Sequence, residues 1–223
     1  MKSLKVAALL CGLLALQSVP AGADDYTFDG WHDWSFPGKS AGDFMVRVRG
    51  IYVRPDNHAK IDPIGGNTNL SNETVPEIDF SYFIFDQLAV ELIAATTSHS
   101  VKVRGTSIGN AKVGNVKLLP PTLTLQWHPL PKARISPYIG TGFNWTLFYD
   151  AEARGIADSF TVDNSEFGWA LQAGTDIAIS GNWYLNFDVK KIFLSTNAEI
   201  NNSIKADVDV NPWIFGVGVG YLF

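Results

Sequence analysis

The segment Ser98-His99-Ser100 places a histidine between two serines, residue types that together can supply a hydroxyl nucleophile and a general base. Such a pair could hydrolyse an ester, as a lipid-modifying enzyme does. Neighbouring residues on an extended chain point to opposite sides, so either serine would reach His99 only across a turn. We therefore expect no catalysis here and predict that the protein is not an enzyme.

Two glycine-rich stretches, GTG at 140–142 and GVGVG at 216–220, resemble phosphate-binding loops. A phosphate loop opens a helix, whereas both of these stretches lie within predicted strands. We interpret their glycines as positions where neighbouring side chains enter a narrow interior. The four histidines of the chain lack the spacing of metal ligands, so the sequence predicts no metal and no other cofactor.

A third unusual stretch, LPPTLTLQW at 119–127, has the alternation of a strand but contains Pro120 and Pro121. Proline has no N–H to donate to a β-ladder. Successive residues of an antiparallel strand bond to opposite neighbours, so the pair removes one donor toward each flanking strand. We predict a weak point in a sheet at this position. The alternative is a strand that begins there, at a frayed rim.

The same alternation of apolar and polar residues extends along the chain and predicts eight strands. Their ranges are 43–54, 76–85, 88–97, 118–128, 135–149, 167–179, 183–194 and 210–223. The connections are alternately short (86–87, 129–134, 180–182) and long and polar (55–75, 98–117, 150–166, 195–209). This arrangement is typical of outer-membrane barrels. We predict an all-β fold, an eight-stranded antiparallel transmembrane β-barrel with short periplasmic turns, long extracellular loops and both termini in the periplasm.

A soluble barrel of lipocalin type is the competing interpretation, with its apolar faces turned inward around a ligand. Charged residues on the other face of the strands favour a barrel whose apolar side meets lipid: Arg47, Arg49, Asp79, Glu91, Asp176, Asp188 and Lys190. Aromatic residues also gather near strand ends, as interfacial girdles do. We expect one girdle to contain Trp127, Tyr138, Trp183 and Tyr221, and the other Trp145, Trp169 and Trp213.

The opening residues, MKSLKVAALLCGLLALQSVPAGA, combine two lysines, a short apolar stretch and an A-x-A ending, the pattern of a secretory signal peptide. We assign 1–23 to this signal, 24–42 to a periplasmic N-terminal segment and 43–223 to the barrel. The aromatic stretch DDYTFDGWHDWSFPGK is interpreted as a flexible terminus, with a plug or a periplasmic contact as the alternative. A formal net charge of -5 without a basic cluster argues against a nucleic-acid partner.

Five motifs resemble, in their order and spacing, the successive motifs of the OmpW family of small outer-membrane proteins: AGDFMVRVRGIYVRP, LAVELIAAT, LLPPTLTLQWHP, SPYIGTGFNWTLFYD and VDVNPWIFGVGVGYLF. The resemblance covers nearly the whole mature chain. It implies an eight-stranded barrel in the outer membrane of a Gram-negative bacterium that passes small hydrophobic molecules across that membrane. The final Phe223 also resembles the signal read by the barrel-assembly machinery. Expected partners are therefore that machinery, outer-membrane lipid, lipopolysaccharide and small hydrophobic solutes.

When the inward residues are sorted by height, the predicted interior changes from charged to apolar toward the outside. The seven charged residues named above lie near the periplasmic end and at mid-height, where they can neutralise one another. An apolar cup open to the outside is expected to be lined by Ile51, Val53, Ile93, Ala95, Phe148, Ala170, Ile192, Leu194 and Ile214. Eight strands leave little room for an open aqueous pore.

This division of the interior favours passive uptake of small hydrophobic molecules that are captured in the cup. The charged residues block direct descent, so the solute would leave laterally into the outer membrane, at Pro120 and Pro121. A structural or receptor barrel without conduction is the alternative interpretation, and a lipid-modifying barrel enzyme is a further one.

Overall fold

The computed structural model describes residues 36–56, 58–62, 65–107, 109–153, 155, 159–162, 165–200 and 204–223. The predicted signal peptide and most of the predicted N-terminal segment lie outside the described residues. Among those described, no helix is long and apolar enough to span a membrane.

Eight antiparallel strands form a closed barrel. They are β1 (Phe44–Arg54), β4 (Glu73–Phe85), β5 (Leu88–Ala95), β8 (Thr122–Trp127), β9 (Ile135–Ala153), β11 (Ser165–Ser180), β12 (Trp183–Phe193) and β15 (Trp213–Leu222). Their order around the barrel is β11-β12-β15-β1-β4-β5-β8-β9, and β9 pairs back with β11. Closure leaves no unpaired sheet edge within this ring. The predicted eight-stranded antiparallel barrel is confirmed.

Seven further strands extend this barrel beyond one of its ends: β2 (His58–Asp62), β3 (Asn67–Leu70), β6 (Thr97–Thr106), β7 (Gly109–Leu119), β10 (Phe160–Val162), β13 (Ser195–Ile200) and β14 (Ile204–Asp209). The four ranges that we expected as long loops therefore contain strands. In β6, for example, buried Val101 and Val103 alternate with exposed Lys102 and Arg104. We call this end, which includes the β6–β7 hairpin, the hairpin end, and the opposite end the short-turn end.

Alternation along each strand separates a buried inner face from an exposed, largely apolar outer face. In β1, Arg47, Arg49, Ile51 and Val53 are buried, whereas Val48 is 53 % exposed. Large apolar side chains cover the outside of the barrel because that face meets lipid rather than water.

Tyr138 corrects one expectation, because it does not join an aromatic girdle on the outside. Its side chain is only 2 % exposed and points into the barrel, while its neighbour Ile139 is 57 % exposed. The direction in which a side chain points therefore follows its place in the alternation along the strand, not its closeness to a strand end. Tyr138 lies opposite Gly174, a position where a Cβ atom would collide with the tyrosine ring.

The glycines of GVGVG have the role expected from the sequence. Gly218 lies directly opposite Arg49, and Gly220 lies opposite Arg47. A Cβ atom on Gly220 would lie 3.0 Å from Cγ of Arg47. Side chains at these positions would take the space through which two arginines enter the narrow interior.

Candidate functional site

A continuous network of charged side chains fills the short-turn half of the interior. It contains all seven charged residues expected there. Within the described residues, it joins four cations, Lys39, Arg47, Arg49 and Lys190, to five anions, Glu77, Asp79, Glu91, Asp176 and Asp188. Each is at most 3 % exposed. We call these nine residues the charged floor.

Two arginines of β1 hold the charged floor together. Arg47 contacts Asp176 through Nη2 at 3.0 Å and Asp79 through Nη1 at 2.7 Å. Arg49 contacts Asp79 through Nη2 at 2.7 Å and Glu91 at 3.1 Å. Each guanidinium thus bridges carboxylates from different strands, the fork geometry that arginine favours over lysine. The arrangement ties β1, β4, β5 and β11 to one another across the barrel interior.

Neutral side chains add hydrogen bonds to the charged floor. Tyr138 donates through its hydroxyl to Asp188 Oδ2 at 2.8 Å, and Gln172 Nε2 donates to the same oxygen at 2.7 Å. Asn186 Nδ2 donates to Asp176 Oδ1 at 2.8 Å. Buried ion pairs are tolerated when the remaining lone pairs are also satisfied. This half of the barrel is therefore a dense polar plug.

Sequence reasoning missed Lys39, which enters the charged floor from the N-terminal segment. Its ammonium group donates to Asp176 Oδ2 at 2.6 Å, to Ser136 Oγ at 2.9 Å and to His128 Nδ1 at 3.1 Å. Its backbone N–H also donates to the carbonyl of Pro131 at 2.9 Å. At this point the segment contacts the barrel rather than ending flexibly. No local pattern shows this contact, because Lys39 belongs to no strand.

Glu77 was also missed, although strand parity would have revealed it. It lies between outward Pro76 and Ile78 on β4, and both of its carboxylate oxygens accept hydrogen bonds from Lys190, at 2.8 and 3.0 Å. Glu77 and Lys190 form the upper boundary of the charged floor, where the apolar half begins.

The apolar half contains the nine residues expected to line a cup. Seven line one cavity: Ile51, Val53, Ile93, Ala95, Ile192, Leu194 and Ile214. Ala170 and Phe148 pack in the same cluster. Glu77 and Lys190 lie at the base of this inner cavity. The structure therefore brings the predicted cup residues together directly above the charged floor.

A second, outer cavity continues toward the hairpin end. Valines of the extension strands line it, including Val101, Val103, Val113 and Val116. His99, Leu118 and Val210 line both cavities and so form their junction. Each cavity measures about 40 Å³, room for only a few water molecules. A larger solute would have to displace side chains.

Pro120 and Pro121 separate β7 from β8 at the height of the inner cavity, which Pro120 lines. Toward β5 and β6, pairing stops at Ile93–Thr122 and resumes only at Thr97–Leu118. We call this gap, between residues 94–96 and 119–121, the proline seam. The Pro120 carbonyl accepts a hydrogen bond from the Thr122 hydroxyl at 3.1 Å instead of a strand donor.

The other side of the proline pair is less open than expected from the sequence. Pairing with β9 is interrupted between Thr122–Asn144 and Leu119–Leu147. Within this interruption, however, Trp145 N donates to the Pro121 carbonyl at 3.0 Å. Of the two flanking ladders, the one toward β5 and β6 is therefore the more weakly connected.

The serines beside His99 form no catalytic pair with it. His99 Nδ1 donates to the Ser71 carbonyl at 2.8 Å, and Nε2 accepts from the Thr97 hydroxyl at 3.1 Å. The Ser100 hydroxyl donates to Asn115 at 3.0 Å, and Ser98 faces outward. Adjacent residues point apart along β6, as expected for an extended chain.

Comparison with known proteins connects this geometry to one family. The chain is 40 % identical over 187 residues to an uncharacterized outer-membrane protein, y4mB, of Sinorhizobium fredii, covering 81 % of this chain and 80 % of the relative. It is 28 % identical over 163 residues to the dibenzothiophene metabolism operon protein PahQ of Pseudomonas aeruginosa, covering 71 % and 76 %.

Among solved structures, the crystal structure of outer membrane protein OprG from Pseudomonas aeruginosa matches with a TM-score of 0.78 and 30 % identity. The match covers 85 % of this chain and 99 % of OprG. The OmpW family model matches residues 40–223, which include every barrel strand. The chain therefore belongs to the OmpW family of Gram-negative outer-membrane barrels.

Proposed function

We propose that the protein mediates passive uptake of small hydrophobic molecules, with no enzymatic activity of its own. A solute enters from the hairpin end, which faces the cell exterior, while both termini lie in the periplasm. It occupies the apolar cavities and leaves laterally into the outer membrane. The observation that carries this proposal is the proline seam, which lies in the wall of the inner apolar cavity.

The charged floor supports a lateral exit rather than a straight path. A solute moving from the inner cavity toward the short-turn end would meet Glu77 and Lys190, and then the arginines of β1. Passage would separate buried ion pairs, and an apolar solute offers no hydrogen bonds to replace them. The descent is therefore far less favourable than movement through an apolar wall.

The proline seam supplies an exit at the right height. Backbone groups facing lipid normally require partners within the protein. One of the two missing proline N–H groups would point toward this seam, and the Pro120 carbonyl is occupied by the Thr122 hydroxyl. Separating the strands here breaks fewer hydrogen bonds than elsewhere in the wall. The seam toward β5 and β6 is the proposed gate, and the Trp145 contact keeps the β9 side closed.

The name of one relative supports an apolar cargo. PahQ is named for an operon of dibenzothiophene metabolism, and dibenzothiophene is a flat aromatic molecule with almost no hydrogen-bonding capacity. A cavity lined by aliphatic side chains discriminates such solutes mainly by size.

The test is uptake by cells that lack their own copy and express either the wild type or the Pro120→Val/Pro121→Val variant. Dibenzothiophene is the apolar probe and glucose, of similar mass, is the polar one. We expect the wild type to accelerate dibenzothiophene uptake alone and the variant to lose most of that gain. Valines restore the missing donors without adding polarity.

Pro76→Val is the matched control, because Pro76 lies in β4 opposite Gly50 on the outer surface, away from the inner cavity. It should transport like the wild type. Equal transport by the double variant would place the exit elsewhere. If the wild type accelerates neither probe while folded in the outer membrane, a structural or receptor barrel is the better description.

A further inference from the structure

The outward face of the β6–β7 hairpin carries concentrated positive charge. Lys102 and Arg104 are exposed two residues apart on β6. Lys112 of β7 lies directly opposite Lys102, so the two side chains share one face. Directly opposed residues in an antiparallel pair have Cβ atoms about 5 Å apart, and like charges at that separation destabilise the pair. A nearby counter-charge would therefore stabilise the hairpin.

The described part of the chain does not supply that counter-charge. Lys102, Arg104 and Lys112 form no ion pair with any residue that the structure describes. Asn69 of β3 lies opposite Lys102, and on the other flank Glu152 of β9 lies opposite Asn115 rather than Lys112. Lys191, in contrast, reaches Asp56 at 3.7 Å. The three hairpin cations are thus available to an external anion.

Their height above the lipid-facing band indicates where that anion lies. The outward residues of β5 and β8 are apolar, for example Leu92 and Leu125, and the face turns polar at Thr96. Lys102 lies six residues beyond Thr96. At a rise of about 3.3 Å per residue and a tilt of about 40°, this places its Cα roughly 15 Å above the band. Ordinary headgroups add only about 5 to 8 Å on each side of the hydrocarbon core. At this height the hairpin cations therefore face the larger headgroup of a glycolipid, whose sugars extend farther from the hydrocarbon.

We propose that Lys102, Arg104 and Lys112, the basic hairpin face, bind the phosphate-bearing headgroups of anionic glycolipids in the outer leaflet. The inference rests on the orientation given under the proposed function, with the hairpin end outside. The guanidinium of arginine can form two parallel hydrogen bonds to phosphate oxygens, and the lysine ammonium groups add electrostatic attraction. Because β7 leads directly into Pro120, a headgroup bound here would hold a lipid beside the proline seam, where the solute enters the leaflet.

The test measures binding of fluorescently labelled lipopolysaccharide to the purified full-length protein in a neutral detergent. The Lys102→Gln/Lys112→Gln variant removes two charges from the basic hairpin face. The matched control, Lys132→Gln/Arg134→Gln, removes two charges at the short-turn end. We expect binding to weaken about tenfold or more in the first variant and less than about twofold in the control. Equal losses in the two variants would overturn the proposal, as would unchanged binding in the first.

A second variant separates binding from folding of the hairpin. Lys102→Glu would give Lys112 an acidic neighbour, so it should stabilise the hairpin while weakening lipopolysaccharide binding. Displacement of lipopolysaccharide by millimolar inorganic phosphate would show that the face takes free phosphate, and would overturn docking of lipid. The assay involves no transport. Failed binding with normal dibenzothiophene uptake therefore rejects this inference alone, and normal binding with failed uptake rejects the proposed function alone.

Discussion

The two halves of the barrel interior are built from the same strands but hold their side chains in different ways. On β1, Arg47 and Arg49 occupy successive inward positions, followed by Ile51 and Val53. The first two are fixed by directional ion pairs to several strands. The other two pack in an apolar cluster through contacts that have no required direction.

Because of this difference, the same alternating strand helps to fill the short-turn half with ion pairs and to line an apolar cavity in the other half. Moving a charged side chain in the short-turn half leaves a desolvated partner behind, so that half resists deformation. Side chains in the apolar half exchange one apolar neighbour for another when a solute enters, at little cost. On the uptake route proposed above, the narrow cavities would widen around the solute while the charged floor stays closed.

The largest expected effect comes from removing one floor cation. Arg49→Met removes a buried cation that lies within 3.1 Å of Glu77, Asp79 and Glu91. Among the described residues, Lys190 and Arg47 are then the only charged floor cations that contact these three carboxylates. We expect the free energy of unfolding to fall by about 3 to 5 kcal/mol. Urea unfolding in lipid vesicles would measure it. Ile51→Val, at the next inward position of the same strand, should cost only about 0.5 to 1.5 kcal/mol. Similar losses in the two variants would contradict the distinction between the halves.

A smaller effect is expected where the N-terminal segment joins the charged floor. Lys39→Met removes a charged donor from Asp176, but Asp176 keeps both of its contacts with Arg47. The expected loss is about 1.5 to 3 kcal/mol in the same urea assay. Lys132→Met is the control, because the Lys132 side chain is 51 % exposed and its ammonium makes only surface contacts, a loose pair with Asp86 at 3.6 Å and a hydrogen bond to the Ser40 hydroxyl. It should change stability by less than about 0.5 kcal/mol.

The sequence alone was sufficient for the alternation, and therefore for the closed barrel and for most inward side chains, Tyr138 and Glu77 excepted. It was insufficient for Lys39, which meets Asp176 across 137 positions in the chain and belongs to no strand. It also misjudged the range 98–117, where exposed lysines and glycines at the turn concealed the buried valines of β6 and β7. Contacts that depend on closure of the barrel, such as Arg49 with Asp188, have no local signature.

The space left for the arginines can be tested with a pair of glycines. A Cβ atom on Gly218 would lie 2.6 Å from Cα of Arg49 and nearer still to the Val48 carbonyl, whereas on Gly50 its nearest neighbour would be 4.0 Å away. Gly218→Ala should therefore lower the unfolding free energy by about 1 to 3 kcal/mol. Gly50→Ala, on the outer face, should change it by less than about 0.5 kcal/mol. A loss of the same size in both would indicate that strand flexibility, rather than inward space, is what these glycines provide.

The smallest expected effect concerns a carboxylate outside the barrel interior. At the β4–β5 turn, Asp86 Oδ1 accepts a hydrogen bond from the Ala41 backbone N–H at 2.8 Å, which lowers the pKa of that carboxyl. A carboxyl with a lowered pKa in the folded state stabilises the protein above its ordinary pKa of 3.8. That contribution is lost as the pH falls through the lowered pKa.

Asp86→Asn keeps the accepting oxygen and removes the charge, so the variant should be less stable than the wild type near pH 6, by less than about 1 kcal/mol. The difference should vanish in strong acid, where Asp86 is protonated in both the folded and the unfolded protein. Urea unfolding of both proteins across this pH range would show it. A difference as large as that of Arg49→Met would mean that exposed and buried carboxylates contribute alike, contrary to the expected dependence on burial.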